Sequence, residues 1–84
     1  MSYKLFILRR AQKELSKLPE DIYEKIKQEI FKLSQNPQPI GAKKLINREG
    51  WRIKIGNYRI IYEIDKDNQT ITILHIGHRK DVYR

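Results

Sequence analysis

Gly50-Trp51-Arg52-Ile53-Lys54-Ile55-Gly56-Asn57-Tyr58-Arg59-Ile60-Ile61-Tyr62-Glu63-Ile64 is the stretch that decides how this chain folds. Apolar and polar residues alternate on both sides of Gly56-Asn57, and a glycine in first place suits a two-residue type II′ turn. Such a turn pairs Ile55 with Tyr58 and Lys54 with Arg59. Trp51, Ile53, Ile55, Tyr58, Ile60 and Tyr62 then share one face, while Arg52, Lys54 and Arg59 share the other. Like charges directly opposite one another destabilise a strand pair. The pairing of Lys54 with Arg59 therefore predicts an anion between them.

Downstream, Asp65-Lys66-Asp67-Asn68-Gln69 is a turn-rich stretch that joins the strand over 58–65 to another over 70–77. Folded about Asp67-Asn68, the two strands set Ile64 opposite Ile71, Tyr62 opposite Ile73 and Ile60 opposite His75. His75 is then read as a hydrogen-bonded core residue. On the cationic face Arg59, Ile61 and Glu63 meet Thr72, Leu74, Ile76 and, further along, His78. Ile61, Leu74 and Ile76 would form an apolar strip there, either an interface or a surface covered by the first strand or the tail.

Upstream, residues 3–8 read as a strand. Ala11, Leu15 and Leu18 recur at helical spacing from Arg9 to Leu18, and Pro19 ends that helix. A longer helix follows, with Glu20 and Asp21 in its first turn and a buried stripe of Ile22, Ile26, Ile30 and Leu33. Asn36-Pro37-Gln38-Pro39 stops it and opens a loop through Gly41 towards Arg48. The fold class expected is α+β: a mainly antiparallel four-stranded sheet (strands near 3–8, 51–56, 58–65 and 70–77) with an N-terminal α-helical hairpin packed on one face.

The 84 residues fit a single domain, residues 1–84. No cysteine is present, which excludes disulfides, thiolate metal sites and cysteine nucleophiles. Two histidines with no carboxylate cluster give no metal site to expect. The apolar runs are too short for a membrane span, and the N-terminus lacks the basic segment and cleavage site of a signal peptide. A cytoplasmic protein with no membrane partner is the expectation. Net charge is +8, a balance that suits an anionic partner such as nucleic acid. A Lys- and Glu-rich surface of the thermophile kind is the plain alternative, and the helix charges fit it.

Arg52, Lys54, Arg59, Arg79 and Tyr83 could converge on one groove if the tail after Gly77 returns towards Asn57. Arginine forks match phosphate oxygens, and several cations around one phosphorus stabilise a five-coordinate transition state. Tyrosine can stack on a base or hydrogen-bond a ribose. Lys43, Lys44, His78 and Lys80 are further candidates for contact with an RNA backbone, or are simply solvated, and His78 could instead serve as a general acid or base. Taken singly, Arg52 and Lys54 read equally well as the wet face of a strand, and Tyr83 as a frayed terminus.

The run from Trp51 to Tyr62, followed by Gly77-His78-Arg79 and Val82-Tyr83, resembles the RelE/ParE superfamily of type II toxins over nearly the whole chain. The resemblance implies that superfamily's fold. On its RelE branch it implies a cofactor-free, metal-independent ribonuclease that enters the ribosomal A site and cleaves mRNA. There a ribose 2′-hydroxyl attacks the adjacent phosphate and leaves a 2′,3′-cyclic phosphate. The catalytic set it implies is Arg52, Lys54, Arg59, Arg79 and Tyr83, with Arg52 standing where the family has a lysine. A guanidinium stays protonated, so Lys54 rather than Arg52 becomes the candidate base. Arg59 would bind the scissile phosphate, Arg79 would stabilise charge or protonate the leaving oxygen, and Tyr83 would orient the nucleotide. The implied partners are the ribosome, mRNA and a cognate RelB-like antitoxin that wraps the toxin. Two other readings stay open: a ParE-like toxin that inhibits DNA gyrase without nuclease chemistry, and a catalytically degenerate RNA-binding domain.

Overall fold

The computed structural model describes residues 2–78. Strand β1 (Lys4–Ile7) leads into helices α1 (Arg9–Ser16) and α2 (Glu20–Gln35), and four strands follow: β2 (Lys43–Lys44), β3 (Trp51–Ile55), β4 (Tyr58–Asp65) and β5 (Thr70–His78). They form one sheet in the order β1-β5-β4-β3-β2, antiparallel except where β1 runs parallel to β5. The expected four strands are thus five, because Lys43 and Lys44, read as loop, pair with Arg52 and Trp51.

The helices cover one sheet face, as the periodicity of their apolar residues requires. Ala11 and Leu15 of α1 and Ile26, Ile30 and Leu33 of α2 form one buried cluster with Ile53, Ile55, Ile60, Tyr62, Ile71, Ile73 and Ile76. Tyr62 lies fully buried at its centre, and its hydroxyl donates to the Pro37 carbonyl at 2.7 Å, tying the 36–42 loop to the sheet. Burial pushes the Tyr62 hydroxyl up to about 12. The carboxylate of Asp65 accepts the side-chain and backbone N–H groups of Asn68 in the β4–β5 turn, which holds it below the usual carboxylate range.

The β3–β4 hairpin has the register that its sequence predicts: Ile55 opposite Tyr58, Lys54 opposite Arg59 and Trp51 opposite Tyr62. Gly56 takes a φ of 60° and Asn57 stays out of positive φ, the combination of a type II′ turn.

The β4–β5 register starts as expected, with Ile64 opposite Ile71 and Tyr62 opposite Ile73, and then slips. Leu74 is an extra residue on β5, so Ile61 faces His75, Ile60 faces Ile76, Arg59 faces Gly77 and Tyr58 faces His78. The cause lies at the edge of β5. Leu8 N–H donates to Ile73 O at 3.0 Å, and there β1 gives way to α1. Beyond that point the Glu14 carboxylate takes the place of a neighbouring strand, accepting the Ile76 N–H at 2.9 Å.

The slip corrects three expectations. His75 is hydrogen-bonded, but its place is opposite Ile61 and its partner is Glu14. Ile76 belongs to the helix-covered core, and Ile61 is itself only 1% exposed, so the expected apolar strip of Ile61, Leu74 and Ile76 does not exist. His78 leaves the cationic face for that of Tyr58, and the two rings meet edge-on at 5.8 Å.

Candidate functional site

The face away from the helices carries cations in two cross-strand rows. In one, Lys43 on β2 lies opposite Arg52 on β3, which lies opposite Ile61 on β4. In the other, Lys54 on β3 lies opposite Arg59 on β4, which lies opposite Gly77 on β5. The β2 ladder thus adds Lys43 to the group that the hairpin alone assembles. Strand alternation sends Lys44 to the other face, in line with Trp51 and Tyr62.

Arg59 differs from its neighbours in burial. It is 6% exposed, whereas Lys54 is exposed and Arg52 intermediate. One guanidinium nitrogen donates to the Tyr58 carbonyl at 3.3 Å, and the buried Nε has no partner. The ion pairs among the described residues are Lys32–Glu29 and His75–Glu14, so none of the described carboxylates pairs with Arg59. A buried cation normally requires a counter-charge, and an unpaired buried donor is destabilising by about 1–3 kcal/mol. Gly77, opposite Arg59 on β5, brings no side chain to that position. The arrangement suits an oxyanion: Lys54 lies in solvent on one flank, beside a guanidinium with an unused donor.

Arg52, Lys54, Arg59 and Lys43 are thus brought onto one face. Arg79, Lys80 and Tyr83 lie outside the described residues. Gly77 is a structural feature of the site that its sequence context does not reveal. Its place beside Arg59 depends on the bulge at Leu74.

Comparison with known proteins agrees with this architecture. The family model described as the ParE toxin of the type II toxin–antitoxin system parDE matches residues 5–83. Toxin RelG of Mycobacterium tuberculosis is 34% identical over 88 residues, covering 100% of this chain and 99% of its own length. Toxin RelE of the same organism is 32% identical over 84 residues, covering 98% of this chain and 87% of its own. Among solved structures, a chain in the toxin–antitoxin complex RelBE2 of M. tuberculosis superposes with a TM-score of 0.84 at 29% identity, over 94% of this chain and 100% of that one.

Proposed function

We propose that this chain, which belongs to the RelE/ParE superfamily of type II toxins, is a metal-independent endoribonuclease that cleaves mRNA in the ribosomal A site and so stops translation. The observation that carries this reading is Arg59: a buried guanidinium with an unpartnered Nε, opposite a solvent-exposed lysine, in a face lined by further cations. A phosphodiester supplies the missing anion.

In the proposed reaction the scissile phosphate docks on Arg59. Lys54, as the neutral amine, takes the proton of the ribose 2′-hydroxyl, whose oxygen attacks phosphorus. The bond from phosphorus to the 5′-oxygen breaks, leaving a 2′,3′-cyclic phosphate on one fragment and, once the oxygen is protonated, a 5′-hydroxyl on the other. Arg52 and Arg59 neutralise the charge that grows on the equatorial oxygens. Arg79 assists as the leaving oxygen is protonated, and Tyr83 orients the nucleotide. Lys44, His78 and Lys80 are assigned to the surrounding RNA, and a RelB-like antitoxin restrains the protein in a cytoplasm where it would otherwise be lethal.

The ParE family match supports a second reading, a toxin that traps DNA gyrase and needs no nuclease chemistry. Primer extension on translated mRNA separates the two. The nuclease reading expects ribosome-dependent cuts that disappear in Lys54→Ala. Gyrase-dependent DNA breaks with intact mRNA would establish the second reading, and RNA binding with neither kind of cut would mark a degenerate domain.

A further inference from the structure

Three lysines from three different elements border one cleft of about 470 Å³ at the outer edge of β3: Lys25 of α2, Lys43 of β2 and Lys54 of β3. None of the three is ion-paired among the described residues. Glu29, the carboxylate that lines the cleft, lies 3.6 Å from Lys32 instead. The lining also includes the apolar side chains of Pro39, Ile53 and Ile40, and Ile40 is fully exposed.

The backbone adds a donor. β2 pairs with β3 at Trp51 and Arg52, so among the described residues no strand covers the edge of β3 from Ile53 onward. The pair that flanks a two-residue turn, Ile55 and Tyr58, exchanges its hydrogen bonds across the hairpin. Alternation then turns the Lys54 N–H outward, to the uncovered edge. The cleft therefore combines three lysine side chains, a backbone donor and an apolar surface, the composition of a nucleotide subsite.

It is also continuous with the cationic face, because Lys54 belongs to both. An RNA strand whose scissile phosphate sits on Arg59 and crosses the sheet past Lys54 runs off the edge of β3 into this cleft. We propose that the cleft holds the nucleotide next to the cut, its phosphate among Lys25, Lys43 and Lys54 and its ribose or base on Pro39, Ile40 and Ile53. Lys25 is then a substrate-binding residue on a helix that otherwise serves the core. This assignment rests on the nuclease reading.

The test is steady-state cleavage of mRNA on the ribosome, using Lys25→Gln and Lys25→Arg. Lys25 is exposed on α2, so both variants should fold as the wild type does. Lys25→Gln should raise KM about 3–10-fold with kcat within about twofold, and should make log(kcat/KM) against log[salt] shallower by about 0.7, one phosphate contact on a single strand. Lys25→Arg should behave as wild type. An mRNA with a neutral methylphosphonate at the phosphate beside the cut, tried on each side in turn, should raise the wild-type KM by the same factor and add nothing further in Lys25→Gln. If the two effects simply add, Lys25 contacts something else, such as ribosomal RNA, and the subsite is overturned. An unchanged KM and salt slope in Lys25→Gln overturn it too, including when the variant loses affinity for an acidic protein partner. In that case loss of cutting in Lys54→Ala would leave the nuclease reading intact, whereas a wild-type protein that cuts no mRNA overturns both.

Discussion

Glu14 of α1 and His75 of β5 meet at 2.7 Å, and the same Glu14 oxygen accepts the Ile76 N–H at 2.9 Å. One carboxylate therefore fastens the first helix to the last strand at the residues where the register slips. The bulge sets Gly77 opposite Arg59, so a contact at the edge of β5 fixes geometry on the cationic face.

Loss of that carboxylate should be felt in both places. Glu14→Ala leaves the Ile76 N–H without its acceptor and should destabilise the fold by about 2–3 kcal/mol, whereas Glu14→Gln keeps an acceptor and should lose less. Denaturant titration measures the difference. Cross-strand NOEs between Ile60 and Ile76, present in wild type, should weaken in Glu14→Ala. Unchanged NOEs would show that the bulge does not depend on Glu14.

Arg59 should trade stability for activity. Replacing a buried guanidinium that has no carboxylate partner among the described residues with an apolar side chain of similar reach removes a desolvated charge, so Arg59→Met should raise stability by about 1–2 kcal/mol. The same variant should abolish mRNA cleavage. A less stable Arg59→Met would mean that the guanidinium has a counter-charge in solution.

Tyr62 should govern alkaline unfolding. In the unfolded chain its hydroxyl ionises near 10, while burial holds the folded value at about 12. The stabilisation is complete below pH 10 and is lost as pH rises from 10 towards 12, by an amount of order 2 kcal/mol. Tyr62→Phe forfeits the hydrogen bond to Pro37, about 1 kcal/mol at neutral pH, but should flatten stability across that alkaline window. Urea titrations at pH 7 and 11 compare the two proteins. A wild-type curve no steeper than that of Tyr62→Phe would contradict the assignment.

The two glycines that frame β3 should respond differently to alanine. At Gly56 the φ of 60° lies in the left-handed region but a Cβ would meet only open space, so Gly56→Ala should destabilise by about 1 kcal/mol. At Gly50 the φ is 122°, and a Cβ would lie 3.2 Å from both Leu45 Cδ1 and the Tyr62 carbonyl. Backbone strain and crowding then act together, and Gly50→Ala should exceed about 2 kcal/mol. Thermal melts of the two variants rank them, and equal losses would count against the crowding.

Short-range chemistry made much of this protein legible in its sequence. A II′ turn at Gly56-Asn57 fixes which residues face each other across β3 and β4, because turn type and strand period are local properties. The pairing of Lys54 with Arg59 follows from them directly, as do the helix stripes and the turn at Pro19. The tertiary structure alone decided the register past Ile73. It depends on β1 ending at Ile7 and on Glu14 arriving from α1 at an edge some sixty residues away in sequence. The apolar residues of β5 do change phase, running Ile71, Ile73 and then Leu74, Ile76, but alternation alone does not distinguish a bulge from a strand that is apolar on both faces. The burial of Arg59, the place of Gly77 beside it and the convergence of Lys25, Lys43 and Lys54 on one cleft all come from long-range packing, in which charge and exposure are set by what the rest of the chain brings near.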